Sequence, residues 1–223
     1  MIMSLVHFFS SAAQVCLLLS ILLWCWHYRS LPLEFKRLGF FMVTTLIINV
    51  TAIVLGRNKI QNLFLLHIYT PLEWLLWAYF YQLLFKPIRK IQKGLPWLVG
   101  VVLIFLLLNS ILLEPIGGFN SNAKSLVQVI LIAAAITYFF NAFGKIDLTM
   151  PIPRALSIVN FAVIFYYSGS LFIFMFSRFL NDNQVAEQQQ FGIWAINGII
   201  YFLFTLLIFS SLWTVAFQKT KSS

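Results

Sequence analysis

Seven apolar runs, each long enough to cross a bilayer, follow one another along this chain with short polar breaks between them. They cover roughly 4–26, 38–56, 62–85, 95–113, 125–143, 155–179 and 192–217. A hydrocarbon core about 30 Å thick is spanned by about 20 helical residues. A helix also satisfies its own backbone hydrogen bonds, which lipid cannot do. The pattern predicts an all-α integral membrane protein, a single seven-transmembrane helix bundle over residues 1–223.

Composition agrees. Of 223 residues 61% are hydrophobic and 9% charged, against about 25% charged in a soluble domain. That excludes an ordinary soluble globule and leaves no room for a separate extramembrane domain. The breaks carry the expected punctuation: Pro32, Gly56-Arg57-Asn58, Pro87, Gly94, Glu114-Pro115, Gly117-Gly118, Gly144, Pro151 and Pro153. Trp24, Trp26, Trp97, Trp194 and Trp213 lie near span ends, as interfacial aromatics do. The first run lacks the basic segment of a cleaved signal peptide and is expected to remain as a span.

Basic residues set the orientation. Arg29, Lys36, Arg37, Lys86, Arg89, Lys90, Lys93, Lys145, Arg154, Lys219 and Lys221 fall on one side, 11 in all. Arg57, Lys59, Lys124 and Arg178 make 4 on the other. The positive-inside rule then places the N-terminus outside and the C-terminus in the cytoplasm. All 15 Lys and Arg are expected outside the central part of a span. The net charge of +9 is therefore read as topology and contact with anionic lipid. A nucleic-acid partner is not expected, because no separate basic face interleaved with aromatics forms.

The third run, NLFLLHIYTPLEWLLWAYFYQLLF, holds the polar chemistry. Glu73 is the one carboxylate expected inside a span, near the midplane. An ionised carboxylate there costs about 2.5–3.5 kcal/mol on insertion scales, so it must be protonated, paired or hydrated. Asn62, Tyr69, Glu73 and Trp77 share a helix face, with His67 and Thr70 on its flank. Pro71 lies in that stripe and removes the amide that would serve the His67 carbonyl. It is the only mid-span proline expected.

Weaker polar stripes lie elsewhere: Thr45 and Asn49 in span 2, Gln128 in span 5, Asn160 and Tyr167 in span 6, Asn197 and Tyr201 in span 7. Such residues commonly join helices to one another. Together they suggest that spans 3, 6 and 7 surround a polar interior, open towards the outside. The candidate ligand-binding residues are Glu73, at the centre, with His67, Tyr69, Thr70, Trp77, Asn49, Tyr167, Asn197 and Tyr201. The polar segment NDNQVAEQQQ reads as a solvated loop, with a lid over the cavity as the alternative.

Other chemistries lack their parts. Cys16 and Cys25 are about 13 Å apart along one helix and cannot bridge. His7, His27 and His67 are too dispersed for a metal site. Phosphate-binding, dinucleotide, nucleophile-elbow and zinc-protease motifs do not occur. The last span has no lysine for a retinal Schiff base. No cofactor and no enzymatic activity are expected, although one Glu and one His are enough for acid–base work on a lipid.

The stretch NLFLLHIYTPLE at Asn62–Glu73 and the run YYSGSLF at Tyr166–Phe172 resemble the seven-helix membrane input modules of bacterial histidine kinases and their small stand-alone relatives. The resemblance implies a sensory role in a bacterial inner (plasma) membrane. This chain ends at QKTKSS without a kinase, so signalling would need a partner protein. Three readings remain open: a receptor-like protein binding a small or lipid-like ligand, a small proton- or cation-coupled transporter relying on Glu73, or an accessory subunit of a larger membrane complex. Membrane lipid is an expected partner in each.

Overall fold

The computed structural model describes the backbone of residues 2–142, 149–182 and 187–218, and the side chains of 8–142, 149–150, 152–175 and 192–217. Its elements are α1 (Ile2–His27), α2 (Leu33–Arg57), α3 (Phe64–Leu84), α4 (Arg89–Leu108), a π-helical turn (Asn109–Leu113) continuing α4, α5 (Ser121–Ala142), α6 (Pro151–Asp182) and α7 (Glu187–Gln218). There is no strand among the described residues. The predicted seven-helix, all-α architecture is what the chain adopts.

Six of the helical segments are long and apolar enough to cross a membrane: Phe8–His27, Leu33–Arg57, Arg89–Leu113, Ser121–Ala142, Ile152–Met175 and Gly192–Phe217. The seventh, α3, is less apolar because it carries His67, Thr70, Glu73 and Gln82 in 21 residues. One face of it is buried in the bundle and the other, with Ile68, Leu72, Leu75 and Tyr79, is exposed. Leu65, His67, Thr70, Glu73, Trp74, Trp77 and Tyr81 along it are all buried. It packs against α2, α4 and α5, while α7 lies along α1 and α6, and α6 along α5.

Outward-facing side chains such as Leu19, Ile47, Val101, Ile104, Phe140 and Phe161 are apolar. This inverts the soluble pattern and suits a lipid surround. Inside, Trp77 is fully buried among Phe41, Phe80, Tyr81 and Tyr167, with ring centroids 4.8–6.2 Å apart. Arg37 clamps α2 to the end of α3: its guanidinium lies 3.7 Å from the Tyr79 ring centroid and donates to Gln82 Oε1 at 3.0 Å.

Several boundaries differ from the sequence expectation, three of them with consequences. Helix α4 begins at Arg89, so Pro96 lies inside it, and Pro71 is not the only intrahelical proline. Helix α2 runs through the Gly56-Arg57 pair and turns at Lys59, which takes a left-handed backbone (φ 56°). Most consequentially, α5 starts at Ser121, with Lys124 buried in its first turn. Lys124 is therefore not a loop residue but part of the first turn of the α5 span, still outside its central part as expected. Of the NDNQVAEQQQ segment, Asn181 and Asp182 end α6 and Glu187–Gln190 begin α7. The lid reading, like the side chains of His7 and Arg178, falls outside what the structure describes.

Candidate functional site

The site begins with how α5 starts. Glu114 follows the π-helical turn and is 2% exposed. Its Oε1 accepts the Ser121 amide at 3.0 Å and the Asn122 amide at 3.1 Å, and its Oε2 accepts Asn109 Nδ2 at 2.7 Å. A carboxylate on the free amides of a helix N-terminus satisfies orphan donors and matches the helix dipole. Asn120 then reaches α3, donating to the Leu66 carbonyl at 3.3 Å and to Thr70 Oγ1 at 3.4 Å. Helix α5 is thereby started inside the bundle, among buried side chains.

That start places Lys124 against Glu73. The ammonium is 2.5 Å from Glu73 Oε2, with the two side chains 3% and 1% exposed. Glu73 Oε1 accepts the Tyr167 hydroxyl at 2.9 Å, and Tyr167 Oη accepts Trp77 Nε1 at 2.7 Å. A chain of polar groups thus runs from α5 through α3 to α6. It is the one ion pair among the described residues. In a low dielectric each charge requires the other, because an unpaired buried charge is strongly destabilising. The ring centroids of Tyr69 and Phe174 lie 4.9 and 5.4 Å from Lys124 Nζ.

A cavity of about 400 Å³ lies on the far side of the ammonium. Thr45 and Asn49 of α2, Tyr69 of α3, Lys124 of α5, Tyr166 and Phe174 of α6, and Trp194, Asn197 and Tyr201 of α7 line it. Asn62 and Phe119 close it from the α2–α3 and α4–α5 connectors. It therefore lies at the bundle end opposite the Lys- and Arg-rich α1–α2 and α3–α4 connectors. Its polar wall is already braced: Asn49 Nδ2 donates to Tyr201 Oη at 2.9 Å, and Thr45 and Tyr69 share a hydrogen bond of 3.0 Å. Asn197 Oδ1 has no partner among the described residues.

The candidate residues fall into three groups. Asn49, Tyr69, Asn197 and Tyr201 line the cavity. Glu73, Trp77 and Tyr167 form the buried chain behind it, so Glu73 is not the cavity's centre; the Lys124 side chain intervenes. His67 and Thr70 belong to neither. His67 shares a 2.9 Å hydrogen bond with Ser110 and lies 3.4 Å from the Gly118 carbonyl, tying α3 to the α4–α5 connection. The polar interior also takes in α2 and α5, beyond the expected spans 3, 6 and 7. Gln128 joins it through Ser170 at 2.8 Å rather than through the cavity.

Lys124 and Glu114 are the residues sequence reasoning passed over. The signal for Lys124 was indirect: a midplane carboxylate demands a counter-charge, and Lys124 with Gln128 continues the polar face of α5 by one turn.

No family model, no curated protein and no solved structure matches this chain.

Proposed function

We propose that the protein is a receptor-like membrane protein that binds a small or lipid-like ligand in the cavity beside Lys124. The observation that carries this reading is convergence. Side chains from five helices meet around about 400 Å³ of space, and the one described ion pair of the bundle forms part of the wall. Ligand sites commonly have about 300–1,000 Å³, mostly apolar lining and a few placed polar groups. A sensory role follows from the connection behind the wall. A ligand that moves Lys124 alters Glu73 on α3 and, through Tyr167, α6. With almost all of the chain in the membrane, the altered helix packing would be read by a partner protein. A bacterial inner membrane, with the cavity end outside, completes the proposal; the 11-to-4 split of Lys and Arg supports the orientation.

Native mass spectrometry from mild detergent tests it. Wild type is expected to retain a discrete small molecule that Lys124→Gln loses. Ordinary bilayer lipid alone on both proteins would overturn the reading, and a stoichiometric protein partner on both would favour a complex subunit instead.

The transporter reading gains one specific observation. A lone Glu73 would have no second ionisable group to exchange with, whereas the Glu73–Lys124 pair supplies one. Uncoupler-sensitive flux in proteoliposomes is its test.

A further inference from the structure

We infer that the cavity takes an organic monocarboxylate with an apolar body, and that Glu73 takes up one proton when it binds. This deepens the reading above and rests on it.

Lys124 is part of the wall and Glu73 is not, and the Lys124 ammonium lies 4.9 and 5.4 Å from the ring centroids of Tyr69 and Phe174, which line the same cavity. Lys124 is the only charged residue of the lining. The other polar wall groups are amides and hydroxyls, and the rest is apolar or aromatic, with Leu65, Phe119, Phe174 and Trp194 among it. An ammonium has three N–H donors. Among the described residues Lys124 Nζ donates one, to Glu73 Oε2. An anion entering the cavity therefore meets a cation with donors to spare, and an apolar body finds the aromatic wall. A cationic ligand would meet Lys124 before it could reach Glu73.

Charge balance supplies the second half. The pair is neutral as it stands, and an anion arriving beside it leaves one net negative charge in a low-dielectric site. Such a charge is costly and is removed by protonation where a group can accept a proton. The groups facing the pair are Tyr69 on α3, Tyr166 and Tyr167 on α6 and Tyr201 on α7. A phenol keeps its proton up to about pH 10 and has no place for a second, so none can take the proton. His67 is turned away, to Ser110 and Gly118. Glu73 remains. The ligand carboxylate takes over the ammonium, Glu73 gains a proton from water, and the site is neutral again. The hydrogen bonds behind it survive the change, since Tyr167 donates to Glu73 Oε1 in either state and accepts from Trp77 in both.

The test uses the full chain in phosphatidylcholine nanodiscs, with phenylacetate supplied from water and decanoate supplied through the bilayer. Phenylacetamide is the neutral control. Titration calorimetry in buffers of different ionisation enthalpy counts protons. Wild type should bind at least one carboxylate, at least 10-fold tighter at pH 5.5 than at pH 8, with about one proton taken up per ligand. Which probe binds tells an aqueous source from a lipid one. Glu73→Gln, which imitates the protonated acid, should bind the same probe with no proton uptake and little pH dependence. Lys124→Gln should lose binding, and the double variant Lys124→Gln/Glu73→Gln, which leaves no unpaired charge, should lose it as well while staying folded.

Carboxylate binding with no proton uptake, or uptake that persists in Glu73→Gln, overturns the coupling and leaves the pocket standing. Binding of phenylacetamide in preference to both carboxylates, or no binding of either carboxylate, overturns the choice of ligand class. Only the further absence of any retained molecule in native mass spectrometry removes the pocket itself.

Discussion

Lys124, in the first turn of α5, holds its ammonium 2.5 Å from the Glu73 carboxylate on α3, with both side chains almost completely buried. A cation near a helix N-terminus is opposed by the dipole, and a carboxylate buried in an apolar bundle is opposed by desolvation. Each residue is unfavourable alone, and each relieves the other.

The pair therefore predicts strong non-additivity. Lys124→Gln and Glu73→Gln each remove one partner, and the uncompensated charge should destabilise the protein by about 3–5 kcal/mol when it stays ionised. The double variant should recover most of that loss. Reversible denaturation in mixed micelles measures all three, and additive losses would show that the two side chains do not act together.

Tyr167→Phe removes the donor to Glu73 Oε1 and the acceptor for Trp77 Nε1 with little change of volume. Leaving a buried donor unsatisfied costs about 1–3 kcal/mol. The same denaturation assay should show a loss in that range. A neutral result would mean that water or another group already serves Trp77.

Glu114→Ala tests how α5 is set in place. It strips the acceptors from the Ser121 and Asn122 amides and from Asn109. A loss of roughly 1–3 kcal/mol is expected, together with faster hydrogen exchange over 121–125 and weaker retention of any cavity ligand. Unchanged exchange there would show that α5 does not depend on this cap.

How much of this could be read from the chain alone is clearest at the boundaries of α3 and α5. The hydropathy of the apolar runs marked seven helices because lipid imposes length and apolarity together. Glu73 stood out because nothing else charged lay deep in a run. Lys124 did not, because SNAKS is polar enough to pass for a loop. What draws it inside is tertiary: Glu114 caps the helix below the surface, and Asn120 fastens it to α3. Helical periodicity gave the faces of Tyr69, Asn197 and Tyr201 correctly. It could not tell that Trp77 would donate to Tyr167 and Tyr167 to Glu73 rather than face a cavity, nor that His67 would turn to Ser110.

Orientation yields a separate expectation. With Cys16 and Cys25 replaced by serine, Lys59→Cys in the α2–α3 turn should react with a membrane-impermeant maleimide in intact cells. Lys90→Cys at the start of α4 should react only after the cells are opened. Both positions are exposed. The reverse pattern would invert the topology and place the cavity on the cytoplasmic side.

The ionisation of Glu73 is the point on which the account turns, and infrared difference spectroscopy between wild type and Glu73→Gln at neutral pH reads it directly. With Glu73 ionised against Lys124, the substitution removes the bands of an ionised carboxylate. Loss of the carbonyl stretch of a protonated acid instead would mean that Lys124 holds no counter-ion, and the charge balance assigned to the cavity would not hold.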